Sequence, residues 1–142
     1  MDSGYFPLEI IDHTADLGAV ARGADLNSLF RNAALGMTGL LVSGKPGSPS
    51  GSRTVTIDGT DLTDLFVKWL GEILYLLQGE YLITADVSVK SVTPDRLVAE
   101  VDLVDFDPAR HGIINDIKAV TYHQSLVSKD GALWRGHVIF DL

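Results

Sequence analysis

The sequence predicts an α+β fold: a largely antiparallel or mixed sheet of about six to seven strands, with two amphipathic helices packed on it. Three observations carry this. Two segments repeat apolar residues at steps of three and four. The second half of the chain reads as strands joined by short turns. Few connections are long enough to be parallel crossovers. The 142 residues set one domain as the expectation, spanning 1–142.

Tyr5 to Ile11 alternates and reads as a first strand, placed at a sheet edge or a strand start because Pro7 has no N–H to donate. A second short strand follows from Leu17 to Gly23. Asp25 then has the position of an N-cap. Behind it Leu26, Leu29, Phe30, Ala33, Ala34, Met37, Leu40 and Leu41 fall on one helical face. Ser43 to Ser52 is rich in Gly, Pro and Ser and reads as a surface loop. Arg53 to Asp58 alternates as a strand.

Asp61 caps the second helix, supported by Asp64 three residues on. Its stripe of Leu62, Leu65, Phe66, Trp69, Leu70, Ile73, Leu74 and Leu77 is the most periodic in the chain, and Gly79 has the place of a C-cap. Four strands then follow. Tyr81 to Lys90 and Leu97 to Leu103 form a hairpin about Thr93-Pro94-Asp95-Arg96. After a long connection from Asp105 to Asp116, Ile117 to Val127 and Leu133 to Leu142 form another about Lys129-Asp130-Gly131.

Composition excludes several functions. There is no cysteine, so disulfides and thiolate metal sites are ruled out and a reducing compartment is allowed. The start of the chain lacks a basic region followed by a long apolar run, and no run approaches bilayer length. The expected location is cytoplasmic, with no membrane partner. With 11 Lys and Arg against 19 Asp and Glu, the net charge is −8. Nucleic-acid binding needs a basic stripe, and none is visible, so tight direct binding to RNA or DNA is not expected. The acidic balance suits a metal ion or a basic partner protein.

Chemistry concentrates at two places. Asp12-His13-Thr14-Ala15-Asp16 packs two carboxylates, an imidazole and a hydroxyl between two apolar runs. Such residues make turns by bonding to nearby backbone. They also suit a carboxylate held at a sheet rim to bind a cation. The second place is the ending His137 to Leu142, where the Asp141 side chain and the α-carboxylate of Leu142 are adjacent. An ordinary frayed end is one reading. If the final strand pairs near the one carrying Asp16, three carboxylates meet instead, and only a cation or protons would neutralise them. Oxygen ligands select a hard ion: calcium, magnesium or manganese. Spacing leaves both readings open. Elsewhere, Lys118 reads as a solvated edge charge, His123 as a hydrogen-bonded structural residue, and Arg110-His111 as partners for Asp105 or Asp107.

Taken together, His13-Thr14-Ala15-Asp16, the run Trp69 to Leu76, Arg110-His111, the run Lys118 to His123 and the ending Val138 to Leu142 resemble the archease family, in order and over essentially the whole chain. The resemblance implies an accessory protein rather than an enzyme. Archeases assist the RtcB-type RNA ligase of tRNA splicing and RNA repair, promoting guanylylation of its histidine with GTP and so multiple turnover. By the same resemblance, Asp16, Asp141 and Leu142 would bind a divalent metal ion, with Lys118 as the basic residue beside them. Asp12 and His13 flank that site without an assigned role. Two other classes stand beside this one. A chaperone or scaffold would act on nucleic-acid enzymes without metal. A metal-dependent phosphoester hydrolase would take His13 or His123 as base, yet no Ser, Cys or His pair has catalytic spacing.

Overall fold

The computed structural model describes residues 5–12 and 16–142, with the Asp12 side chain excepted. Its elements run β1 (Glu9–Asp12), β2 (Asp16–Gly23), α1 (Leu26–Leu41), β3 (Val42–Ser43), β4 (Gly51–Asp58), α2 (Leu62–Glu80), β5 (Leu82–Thr93), β6 (Arg96–Asp105), β7 (Gly112–Ile113), β8 (Ala119–Asp130) and β9 (Leu133–Asp141). All seven strands and both helices expected from the sequence are present. The two additions, β3 and β7, are two residues each and pair only with one another.

The strands do not form one sheet. They divide into a four-stranded sheet of order β1-β2-β9-β8, the β3-β7 pair, and a three-stranded sheet of order β4-β6-β5, with every pairing antiparallel. The physical reason lies in the helices. Both are buried on more than one side: α1 meets β2 of the larger sheet and β5 of the smaller, and α2 meets β8 and β5. The helices thus form a middle layer between two sheets. This explains why Val67 and Leu76, outside the expected stripe of α2, are also buried. A helix apolar nearly all round belongs in such a layer.

Packing is tight within the helical layer and between it and the larger sheet. Trp69, fully buried on α2, donates Nε1–H to the Phe30 carbonyl of α1 at 2.9 Å. Phe66 sets its ring edge-on to Phe30, with centroids 5.4 Å apart, a favourable aromatic geometry. Beneath Phe66, strand β9 carries Gly136, where a Cβ would stand 2.6 Å from Phe66 Cζ. Gly136→Ala is therefore expected to destabilise by about 1–3 kcal/mol through overpacking. Urea unfolding checks this: the midpoint falls while the slope is unchanged.

Helix ends follow local chemistry. The Asp25 side chain accepts from Ser28 N at 2.7 Å, and Asp61 from Asp64 N at 2.8 Å, as the cap residues predict. At the other end of α2 the sequence expectation is corrected. Gly79 stays helical, and Tyr81 takes the left-handed conformation at φ 57°. A Cβ at Gly79 would meet the Tyr75 ring at 2.5 Å, so this glycine makes room for a side chain one turn back. The added length is held by Arg53, which grips Glu80 through two bonds of 2.9 and 3.0 Å. No helix among the described residues is long and apolar enough to cross a membrane.

Candidate functional site

Strands β2 and β9 are central neighbours in the four-stranded sheet. Their register sets Asp16 opposite Asp141, Leu17 opposite Phe140 and Ala19 opposite Val138. The apolar members of these pairs are core, so burial fixes the register. A slip by one residue would turn every core side chain outward. Residues directly opposite in an antiparallel pair share a face, with Cβ atoms about 4.5–5.5 Å apart. The two aspartates thus meet at the rim where the core pattern ends. Asp141 is exposed, Asp16 is half-buried, and its Oδ1 is shielded from solvent.

The segment leading into β8 closes the same corner. Lys118 N donates to the Asp141 carbonyl at 2.7 Å, and Ala119 stands opposite Asp141. Asp16, Lys118, Asp141 and Leu142 are therefore brought together by backbone pairing. Lys118 and Leu142 are exposed. His13, Thr14 and Ala15, and the side chain of Asp12, lie outside the described residues.

The donor chemistry fits a hard cation in kind. Two carboxylates opposite one another repel, and oxygen ligands at about 2.0–2.6 Å suit magnesium, manganese or calcium. In number the side chains fall short. Among the described residues no group of three His, Cys, Asp or Glu side chains could hold a metal ion. Asp16 and Asp141 would need further oxygen, from the Leu142 main chain or water, to complete a shell.

The remaining histidines have structural partners or stand apart. Buried His111 accepts at Nδ1 from Asp107 N at 3.0 Å, and its Nε2 lies 3.1 Å from the Lys45 carbonyl. With Nδ1 accepting, Nε2 must carry the proton and donate, which defines a neutral tautomer. It pins the Ser43–Ser52 loop to the Asp105–Asp116 connection. Arg110 pairs loosely with Asp107 at 3.8 Å. His123 is exposed, in a stretch where the regular strand pairing stops: Tyr122 to Ser125, four residues, stand opposite Val138 alone. Gln124 in this bulge has φ 55°, and its carbonyl meets His137 Nδ1 at 2.7 Å.

That bulge makes a link with no sequence signal. Tyr122 donates its hydroxyl to Asp64 Oδ1 at 2.6 Å, across 58 residues of chain. Asp64 also accepts from Thr60 N and pairs with Lys68 at 3.2 Å. The Tyr122 hydrogen bond, then the Thr60 backbone bond and Lys68, hold the Asp64 carboxyl down from 3.8 to about 2. The same bond raises the Tyr122 pKa. A depressed carboxylate stabilises the fold above its unfolded value and loses that contribution as pH falls from 3.8 towards about 2. Tyr122→Phe removes the donor, so its unfolding midpoint should fall less steeply with pH over that interval than the parent's. Denaturant unfolding at several pH values measures this.

The fold and site define a class: a small three-layer α+β protein in which one central strand pair juxtaposes two aspartates at its rim. Within that class the chain belongs to the archease family, since residues 8–142 match the Archease protein family (MTH1598/TM1083). It is 30% identical over 138 residues to Protein archease of Methanosarcina acetivorans, covering 94% of each chain. With Protein archease of Thermococcus kodakarensis it shares 32% over 139 residues, covering 94% of this chain and 97% of that one. The solution structure of Methanobacterium thermoautotrophicum protein 1598 superposes with a TM-score of 0.79 at 26% identity, over 95% of this chain and 98% of that one. A Thermotoga maritima structure described as an archease and possible chaperone shares the fold, with a TM-score of 0.62 at 18% identity over 94% of this chain and 96% of that one.

Proposed function

We propose that this protein is a metal-binding accessory factor for an RtcB-type RNA ligase, promoting guanylylation of the ligase with GTP. One observation carries the reading: the β2–β9 register sets Asp16 against Asp141. Asp16 and Asp141 would hold a divalent ion (calcium, manganese or magnesium), with main-chain oxygen of Leu142 as a further ligand. Lys118 is the basic residue beside them, suited to a phosphate oxygen of the incoming nucleotide. The net charge of −8 favours encounter with a basic protein surface over a phosphate backbone.

The step assisted is attack of the ligase histidine on the α-phosphorus of GTP, with pyrophosphate leaving. When bound, the ion supplies neutralisation of charge developing on phosphate oxygens and leaving group. The two aspartates bind and orient. Their rigidity comes from the strand pair, since each sits one residue from core: Leu17 follows Asp16, and Phe140 precedes Asp141.

The test follows guanylylation of a partner ligase with limiting divalent ion. Asp16→Asn and Asp141→Asn are each expected to cut the stimulation about tenfold or more, since even outer-shell changes cost metal sites about 10–100-fold. Full stimulation by both variants would remove the proposal. A second reading is favoured by the description of the Thermotoga relative as a possible chaperone. It predicts protection of the ligase from aggregation that survives chelation of all divalent ions.

A further inference from the structure

Beyond the acidic corner, the structure has an apolar cleft of about 210 Å³ between the C-terminal ends of the two helices. Leu41 ends α1, Leu77 lies in the last turns of α2, and Tyr81, Phe106 and Ile113 complete the apolar wall, with Asp116 on its edge. Three of the large exposed hydrophobic residues cluster here: Tyr81 at 68%, Ile113 at 58% and Ile114 at 54% exposure. Local bonds hold the wall in shape. Ile114 N donates to the Leu41 carbonyl at 2.9 Å, Asn115 Nδ2 to Leu40 O at 2.7 Å, and Phe106 N to Tyr81 O at 2.8 Å.

We propose that this cleft anchors the partner protein, receiving one aromatic or branched apolar side chain from a surface segment that carries lysine or arginine beside it. The inference takes the partner's identity from the accessory-factor reading and deepens it. Size sets the apolar part: a dry cavity of about 150 Å³ holds a benzene ring, so this one accepts one bulky side chain. Charge sets the flanks, because Asp116 edges the cleft and exposed Asp105 adjoins Phe106. Position sets the purpose. Asp116 is two residues from Lys118, at most about 7 Å along an extended chain, and Lys118 N is bonded to the Asp141 carbonyl. An anchor seated here brings its own protein close to the strand end that carries Asp141. Buried anchors in a pocket, ringed by polar groups, are where binding energy concentrates.

The test measures binding of labelled protein to an RtcB-type ligase by anisotropy, alongside divalent-ion affinity and thermal midpoint. Ile113→Glu should weaken ligase binding about tenfold or more, and Tyr81→Ala several-fold. Both side chains are more than half exposed, so the thermal midpoint and ion affinity should hold. Asp105→Asn with Asp116→Asn should flatten the salt dependence of binding. Parental affinity in both apolar variants overturns the proposal, as does absence of ligase binding by the parent. Loss of concentration-dependent self-association in Ile113→Glu, with ligase binding intact, assigns the cleft to a second copy and overturns it too. The two readings separate cleanly. Asp16→Asn should bind the ligase yet fail to stimulate. If it stimulates fully while Ile113→Glu still binds weakly, the metal reading falls and the anchor stands.

Discussion

Trp69→Ala is expected to remove about 3–5 kcal/mol of stability, a large share of the roughly 5–15 kcal/mol that holds a domain folded. Trp69 is fully buried at the interface of the two middle-layer helices and donates to the Phe30 carbonyl. Truncation therefore opens a cavity and removes a buried donor together. Trp69→Phe largely separates the two effects: it keeps most of the bulk and loses the N–H, whose bond is worth about 0.5–1.5 kcal/mol. Urea unfolding of both variants measures the difference. Near-parental stability in Trp69→Ala would mean that the helices do not depend on this contact.

The second large effect is thermal. A cation bound only by the folded protein stabilises it by about 2.7 kcal/mol at one hundred times its dissociation constant, which is a rise of several degrees in midpoint. Asp141→Asn should abolish that rise. It should also leave the metal-free protein at least as stable as the parent, because one of two facing anions is gone. Opposite signs in the two conditions mark a site built for a cation. A mere loss of packing would lower both midpoints. Asp105→Asn, away from the strand pair, serves as the control and should retain the full rise.

Much of this arrangement was legible in the amino acids. Both helices read from their stripes and caps, because Asp25 and Asp61 each present a carboxylate to a backbone N–H three residues on. The meeting of Asp16 with Asp141 was legible as a condition, dependent on strand order, which alternation does not encode. The division into two sheets was hidden for the same reason: a helix stripe shows that a face is buried, not how many layers bury it. Val67 and Leu76 of α2 were the available signal, apolar residues off the main stripe. Gly79 misled because a glycine near a helix end has two uses, turning the chain or yielding space. Here Tyr75 claims the space. The Tyr122–Asp64 bond had no local signature, since it needs the four-residue bulge of β8.

That bulge also bears on how copies of the molecule treat one another. Strand β8 is one of the two edges of the larger sheet, and an uninterrupted edge offers a template on which a second chain can add strand by strand. Here the template is broken halfway along. Gln124 bends the backbone through φ 55°, and its carbonyl is taken by His137. The same detour that carries Tyr122 to the start of α2 leaves sheet growth without a straight row to copy.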